Sequence, residues 1–141
     1  VRQRSRREIE RRLERAGFEP EEIRGELDRL QQVGLIDDEA FARTVVEHSF
    51  SARKEGRRVV AGRLMSAGIA RDTAEAILAE VVGGEEERAD ALAATKAAKL
   101  STLPPDAAYR RLYGMLARRG YAPDVAGRAA RRALAVEAFE D

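Results

Sequence analysis

The residues that could carry chemistry in this chain are nearly all charged, and few of them suit catalysis. Among 141 residues there is no cysteine and a single histidine, His48. Disulfides and cysteine-held metals are therefore excluded. No Gly-rich phosphate loop and no serine in an elbow context is present. The Ser and Thr residues are scattered, and no nucleophile–base pair suggests itself. Asp37, Asp38 and Glu39 stand in a row and invite a metal site. No second ligand cluster follows at the spacing of a calcium loop, and acids gather in first turns because the N-terminus of a helix is positive. His48 lacks a partner signature and reads as an ordinary helical residue. No enzymatic activity, no cofactor and no metal is expected.

Ionic recognition remains. Lys and Arg total 26 against 25 Asp and Glu, a net charge of +1, whereas a domain that binds bare nucleic acid is usually more basic. The average hides blocks. Residues 1–16 carry seven Arg against three Glu, and residues 17–50 carry nine acids against three bases. Residues 51–71 carry six bases against Glu55, and residues 72–87 carry six acids and no base. Residues 104–135 carry seven Arg against Asp106 and Asp124. Two readings fit this alternation: helix faces that balance one another in solvent, or a basic stripe along one edge. Arg outnumbers Lys 23 to 3. That ratio suits bidentate contacts with carboxylate or phosphate and fits a GC-rich coding bias equally well.

These charges need helices to position them. Apolar residues make up 44% and aromatic residues 5%, with Ala and Leu dominant, a composition that packs helix on helix. One phrase, Leu-x-x-x-Gly-apolar, occurs at Leu13/Gly17/Phe18, Leu64/Gly68/Ile69 and Leu116/Gly120/Tyr121, with the glycines 51 and 52 residues apart. A period of that size marks repeated supersecondary units. Before each glycine the apolar residues recur at helical spacing: Ile9 and Leu13, Val60 and Leu64, Leu112 and Leu116. Glycine closes the helix in the left-handed conformation, and a new helix follows, marked by Ile23 and Leu27, by Ala74 and Leu78, and by Ala126 and Ala130. Helices are predicted over 5–16, from Pro20 to Gly34, over 37–54 until Gly56 breaks it, 57–67, from Asp72 or Thr73 to Gly83-Gly84, 85–99, 106–119 and 123–138. No strand is expected, since β-branched residues never alternate with polar ones.

The expected fold is therefore all-α: elongated tandem three-helix repeats over 1–36, 37–84 and 85–141. The first lacks its first helix, and a start at Val1 rather than Met suits a fragment. No stretch is long or apolar enough to cross a membrane, and no signal peptide is visible.

Each phrase is close to a helix-turn-helix, whose second helix would enter a DNA major groove. Two details oppose direct base reading. The position four before the turn glycine is usually small in that motif, and here it is Leu13, Leu64 and Leu116. The first two second helices are acidic, with Glu19, Glu21, Glu22, Glu26 and Asp28 in one and Asp72, Glu75 and Glu80 in the other, which phosphates repel. Only the third, with Arg128, Arg131 and Arg132, has the charge to lie on DNA.

The chain also resembles a known family. The residues carrying the likeness are Arg4-Ser5 with Glu8-Ile9, Leu13 and Gly17; Leu27, Leu30 and Gly34 running into Ile36-Asp37-Asp38 and Phe41-Ala42; Gly56 and Leu64 before Gly68-Ile69; and Leu116 with Arg119-Gly120-Tyr121. The stretch Gly-x-Ile-Asp-Asp-x-x-Phe-Ala is the most specific. Nearly the whole chain resembles the RecX regulatory proteins of bacteria. That resemblance implies three-helix repeats in an elongated crescent, a cytoplasmic location and a monomer. It implies binding to RecA recombinase, in the groove of its filament on single-stranded DNA, with restraint of ATP hydrolysis, strand exchange and co-protease activity. Weak DNA binding is implied as well, and no cofactor. The family usually has another helix ahead of Arg4-Ser5. On this reading Arg53, Lys54, Arg57, Arg58 and Arg63 face the groove, joined by Lys96, Lys99, Arg110, Arg111, Arg118 and Arg119. Asp37, Asp38 and Phe41 serve the fold. A helix-turn-helix protein acting on duplex DNA is the alternative.

Overall fold

The computed structural model describes residues 4–135, and among these every regular element is helical. The helices are α1 (Arg6–Arg15), α2 (Pro20–Gln32), α3 (Asp38–Ser51), α4 (Arg57–Ser66), α5 (Arg71–Ala79), α6 (Glu85–Ala97), α7 (Pro105–Arg118) and α8 (Pro123–Ala133), with a 3₁₀ turn at Ala98–Leu100.

The repeated phrase folds the same way each time. The N–H groups of Phe18, Ile69 and Tyr121 donate to the carbonyls of Leu13, Leu64 and Leu116 at 3.0–3.2 Å. Each preceding glycine has a positive φ, 92°, 84° and 102° in chain order. This is the Schellman arrangement, in which an apolar residue just past the helix bonds back to the last full turn. Leu30-x-x-x-Gly34-Leu35 makes the same closure, Leu35 N–H to Leu30 O at 2.8 Å, so the phrase specifies a helix end wherever it falls. Its period, not its presence, marks the repeat.

Starts are set by side chains. Ser5 accepts from the Glu8 N–H at 3.2 Å, as a Ser-x-x-Glu entry predicts. Glu22 accepts from the Glu19 N–H at 3.2 Å, and Asp37 accepts from the Ala40 N–H at 3.1 Å. Pro20, Pro105 and Pro123 each occupy a first helical position, where a missing N–H costs nothing.

Two ends differ from expectation. Helix α3 stops at Ser51 rather than 54, because Lys54 adopts φ 52°. Gly56 is therefore not the breaker. Its N–H donates to the Arg119 carbonyl at 2.8 Å, and a Cβ there would lie 2.8 Å from the Tyr121 nitrogen. Helix α5 opens at Arg71 and closes at Ala79, ahead of the Gly83-Gly84 pair. Helix α8 closes at Ala133, and residues 136–138 of the expected helix lie outside the described residues, as do the outermost residues of the first and last repeats.

Packing groups the chain into two compact units. One comprises the described residues up to Glu47 together with Ala61–Val81. In it Ile23, Leu27 and Ile36 form a small core backed by Ile9, Leu13 and Leu30, and Phe41, Leu64, Ile69 and Ile77 are also buried. The other comprises His48–Val60 and the described residues from Val82 on. Its core is larger: Leu92, Leu100, Leu112, Leu116 and Tyr121 with alanines 89, 93, 108, 126, 129 and 130. Alanines on α6 and α8 let these helices approach closely, which explains why so few aromatics suffice.

Candidate functional site

The expected contact residues fall into three groups, and all but Arg63 lie in the second unit.

The first group is open. On α7 the positions Ala107, Arg110, Arg111, Gly114 and Arg118 share one side, opposite the buried Ala108, Leu112 and Leu116. With Leu103 they line a shallow cleft. Arg110, Arg111 and Arg118 are exposed there, and the Arg118 guanidinium lies over Gly114, where a Cβ would meet it at 3.2 Å. Arg53, Arg58 and Lys99 are exposed and Lys96 is half-buried. Arg57 and Arg63 are half-buried and engaged within the fold. The Arg57 N–H donates to Glu85 at 3.2 Å.

The second group joins the loop after α3 to the turn after α7. The Arg119 guanidinium donates to the Arg53 carbonyl. The Tyr121 hydroxyl donates to the Lys54 carbonyl at 2.5 Å. Arg119 is thus an internal tie, and Lys54 is half-buried. Burial, helped by the nearby Glu85 carboxylate, pushes the Tyr121 hydroxyl up to about 12, so it stays a donor at neutral pH. Beside it Arg88 lies 3.9 Å above the Phe50 ring and pairs with Glu85 at 3.1 Å, a cation–π contact in a partly desolvated site.

The third group is paired. On α8, Arg128 Nε donates to Glu86 at 2.9 Å, and Arg132 reaches Glu86 at 2.7 Å and Asp90 at 2.9 Å. The two arginines hold the Glu86 carboxyl below its usual range. Arg131 donates to the Tyr109 hydroxyl at 3.3 Å. The sequence gives these three the charge to lie on DNA, and in the structure each also has a side-chain partner within its own unit. A matching four-residue step, Glu86 and Asp90 on α6 with Arg128 and Arg132 on α8, is the sequence signal for that pairing.

The acid row is architectural. Asp37 caps α3, Asp38 accepts from the Arg6 N–H at 2.9 Å, and Phe41 is buried. Among the described residues no three His, Cys, Asp or Glu come together as a metal site, and no helix is long and apolar enough to cross a membrane.

Residues 37–78 match the second three-helix domain of RecX, and residues 84–129 match its third. Regulatory protein RecX of Mycobacterium avium is 36% identical over 139 residues, covering 97% of this chain and 80% of the relative. The chain belongs to the RecX family. Regulatory protein RecX of Thermobifida fusca is likewise 36% identical, over 91% of this chain and 70% of that one. The crystal structure of RecX from Lactobacillus salivarius shares the fold, with a TM-score of 0.83 over 96% of this chain and 89% of that one at 20% identity. The tandem three-helix, all-α reading therefore holds, and the chain is a regulatory protein of the RecX kind. The open arginines on α7 and the Arg119–Tyr121 tie lie within or next to the third RecX domain.

Proposed function

We propose that this protein binds RecA recombinase and the RecA filament on single-stranded DNA, and that it restrains ATP hydrolysis, strand exchange and co-protease activity. Family membership along almost the entire chain carries this reading. The repeats, taken as 1–36, 37–84 and 85–141, supply the scaffold. The contact surface is drawn from Arg53, Arg58, Lys96, Lys99, Arg110, Arg111 and Arg118, whose side chains reach solvent. Arg128 and Arg132, also at the surface, are paired with Glu86 and Asp90. A filament presents repeated carboxylates and phosphates, and guanidinium forks fit both. Action takes place in the cytoplasm, where RecA works.

Reading of duplex DNA by α2, α5 or α8 has less support. Helix α2 carries Glu21, Glu22, Glu26 and Asp28, and α5 carries Asp72 and Glu75, all repelled by phosphate. The α8 arginines are held by Glu86 and Asp90.

The test is RecA ATPase on single-stranded DNA with increasing amounts of this protein. Hydrolysis falls with the wild-type chain, and Arg110→Glu with Arg111→Glu relieves the restraint. An unchanged rate at saturating wild-type protein overturns the proposal.

A further inference from the structure

Residues 52–55 fold against their own local preference. Ala52, Arg53, Lys54 and Glu55 carry no helix breaker, and they follow α3 directly. Arg53 and Lys54 suit the negative end of a helix, and Gly56 stands where a closing glycine belongs. Yet α3 stops at Ser51, and Lys54 turns left-handed at φ 52°. Elsewhere the left-handed positions are glycines 17, 34, 68, 83, 84 and 120, and Ala135 at the edge of the described residues. A residue with a side chain keeps that conformation only where its surroundings over-determine it.

The groups that do so lie after α7. The Arg119 guanidinium donates to the Arg53 carbonyl, the Tyr121 hydroxyl donates to the Lys54 carbonyl at 2.5 Å, and the Gly56 N–H donates to the Arg119 carbonyl at 2.8 Å. Gly56 and Gly120 meet so closely that a Cβ on Gly56 would lie 2.4 Å from the Gly120 oxygen. Glu55 is buried. Beyond Ala52, the bonds back to α3 are wide closures: Arg53 N–H to the His48 carbonyl at 3.3 Å, and Glu55 N–H to the Ser49 carbonyl at 3.1 Å.

Local preference and tertiary contact therefore disagree over four residues. Native sequences keep such conflicts chiefly at strained or functional positions. We propose that residues 52–55 are a two-state element. In one state they are clasped and left-handed at Lys54, as in this structure. In the other they wind onto the end of α3 as about one further turn, closed by Gly56. The wound state needs all three clasp bonds open, because a helix advances only about 1.5 Å per residue and draws Gly56 away from Arg119. It frees the Arg119 guanidinium and re-aims Arg53 and Lys54. Two discrete arrangements of one segment are what a switch requires. The element stands apart from the reading under Proposed function, and only the consequence of moving Arg53, a cation of that contact surface, rests on it.

The experiment is NMR on the full chain without RecA. Backbone shifts and short-range NOEs of residues 51–56 report the main conformer, and saturation-transfer exchange reports a minor one. Tyr121→Phe and Arg119→Met each remove one clasp bond, and each raises the helical conformer about threefold to tenfold. The double variant raises it further. Lys54→Gly lowers it in every background, since glycine suits the left-handed state and disfavours the helix. Shifts of Ala89, Leu112 and Ala130 stay at wild-type values and report an intact core, and where the double variant loses them the single variants decide. Random-coil shifts at residues 52–55 in the opened variants overturn the proposal, because the segment then frays instead of winding. A left-handed Lys54 without a helical conformer in any opened variant overturns it equally. The spectra contain no RecA, so a failure of this chain to restrain RecA ATPase sinks only the proposed function.

Discussion

The Ser5 hydroxyl donates to the Ala67 carbonyl at 2.7 Å, across 62 positions of sequence, while the same oxygen accepts from the Glu8 N–H. Ser5 is completely buried. A residue that reads locally as a helix cap also ties the start of α1 to the end of α4. Ser5→Ala removes both bonds and leaves the Ala67 carbonyl without this donor. The expected loss is about 2 kcal/mol, read as a shift in denaturant midpoint at constant m-value. A loss no larger than that of an exposed cap would show that the long-range bond contributes nothing.

The turn glycines share a phrase but not an environment. A Cβ on Gly17 meets nothing within 4 Å, whereas one on Gly120 falls 2.7–2.9 Å from Val59. Gly17→Ala therefore costs only its left-handed backbone, about 1–2 kcal/mol. Gly120→Ala adds a clash with main chain and costs about 3 kcal/mol or more. Equal losses in urea unfolding would refute this difference in packing.

The Glu86 carboxyl titrates below its ordinary value of 4.5 because Arg128, then Arg132, donate to it. Its folded form thus binds the proton less readily than the unfolded chain does. The contribution is present above pH 4.5 and is lost as pH falls through the lowered folded value. Glu86→Gln should lower the melting temperature near pH 7 and do so less as the solution is acidified. Salt should shrink the gap too, since the pair is solvent-exposed. A gap that widens on acidification would contradict the sign.

Tyr121 gives the opposite end of the pH scale. Its hydroxyl is raised to about 12 from 10.0, chiefly by burial. The unfolded chain loses that proton first, so the contribution is complete below pH 10 and declines as pH rises from 10 toward 12. Ultraviolet titration of tyrosinate should show one late component near 12, absent in Tyr121→Phe. A variant that keeps the late component would assign it to another tyrosine.

Much of this was legible in the residues themselves. The helix ends at Gly17, Gly68 and Gly120 followed from a six-residue phrase, because a Schellman closure is local: the bond from Tyr121 to Leu116 closes the last turn of the helix. The starts at Ser5, Pro20 and Asp37 followed for the same reason. The end of α3 was misplaced by three residues because nothing near Lys54 announces its left-handed turn. That turn is held by Arg119 and Tyr121 in the turn after α7, 66 and 67 positions from the carbonyls they bond.

What the sequence by itself determined is therefore the all-α class, the period, the caps and the family, all properties of neighbours a few residues apart or of pattern along the chain. Only the tertiary structure decided which arginines are open. Arg118 and Arg119 are adjacent and chemically identical, yet one lies exposed on α7 and the other binds the Arg53 carbonyl. Arg110 faces a shallow cleft, whereas Arg132 is taken by Glu86 and Asp90. A guanidinium carries the same charge in either role. Its availability depends on which distant carboxylate or carbonyl folding brings within about 3 Å, and that distance is not written in local order.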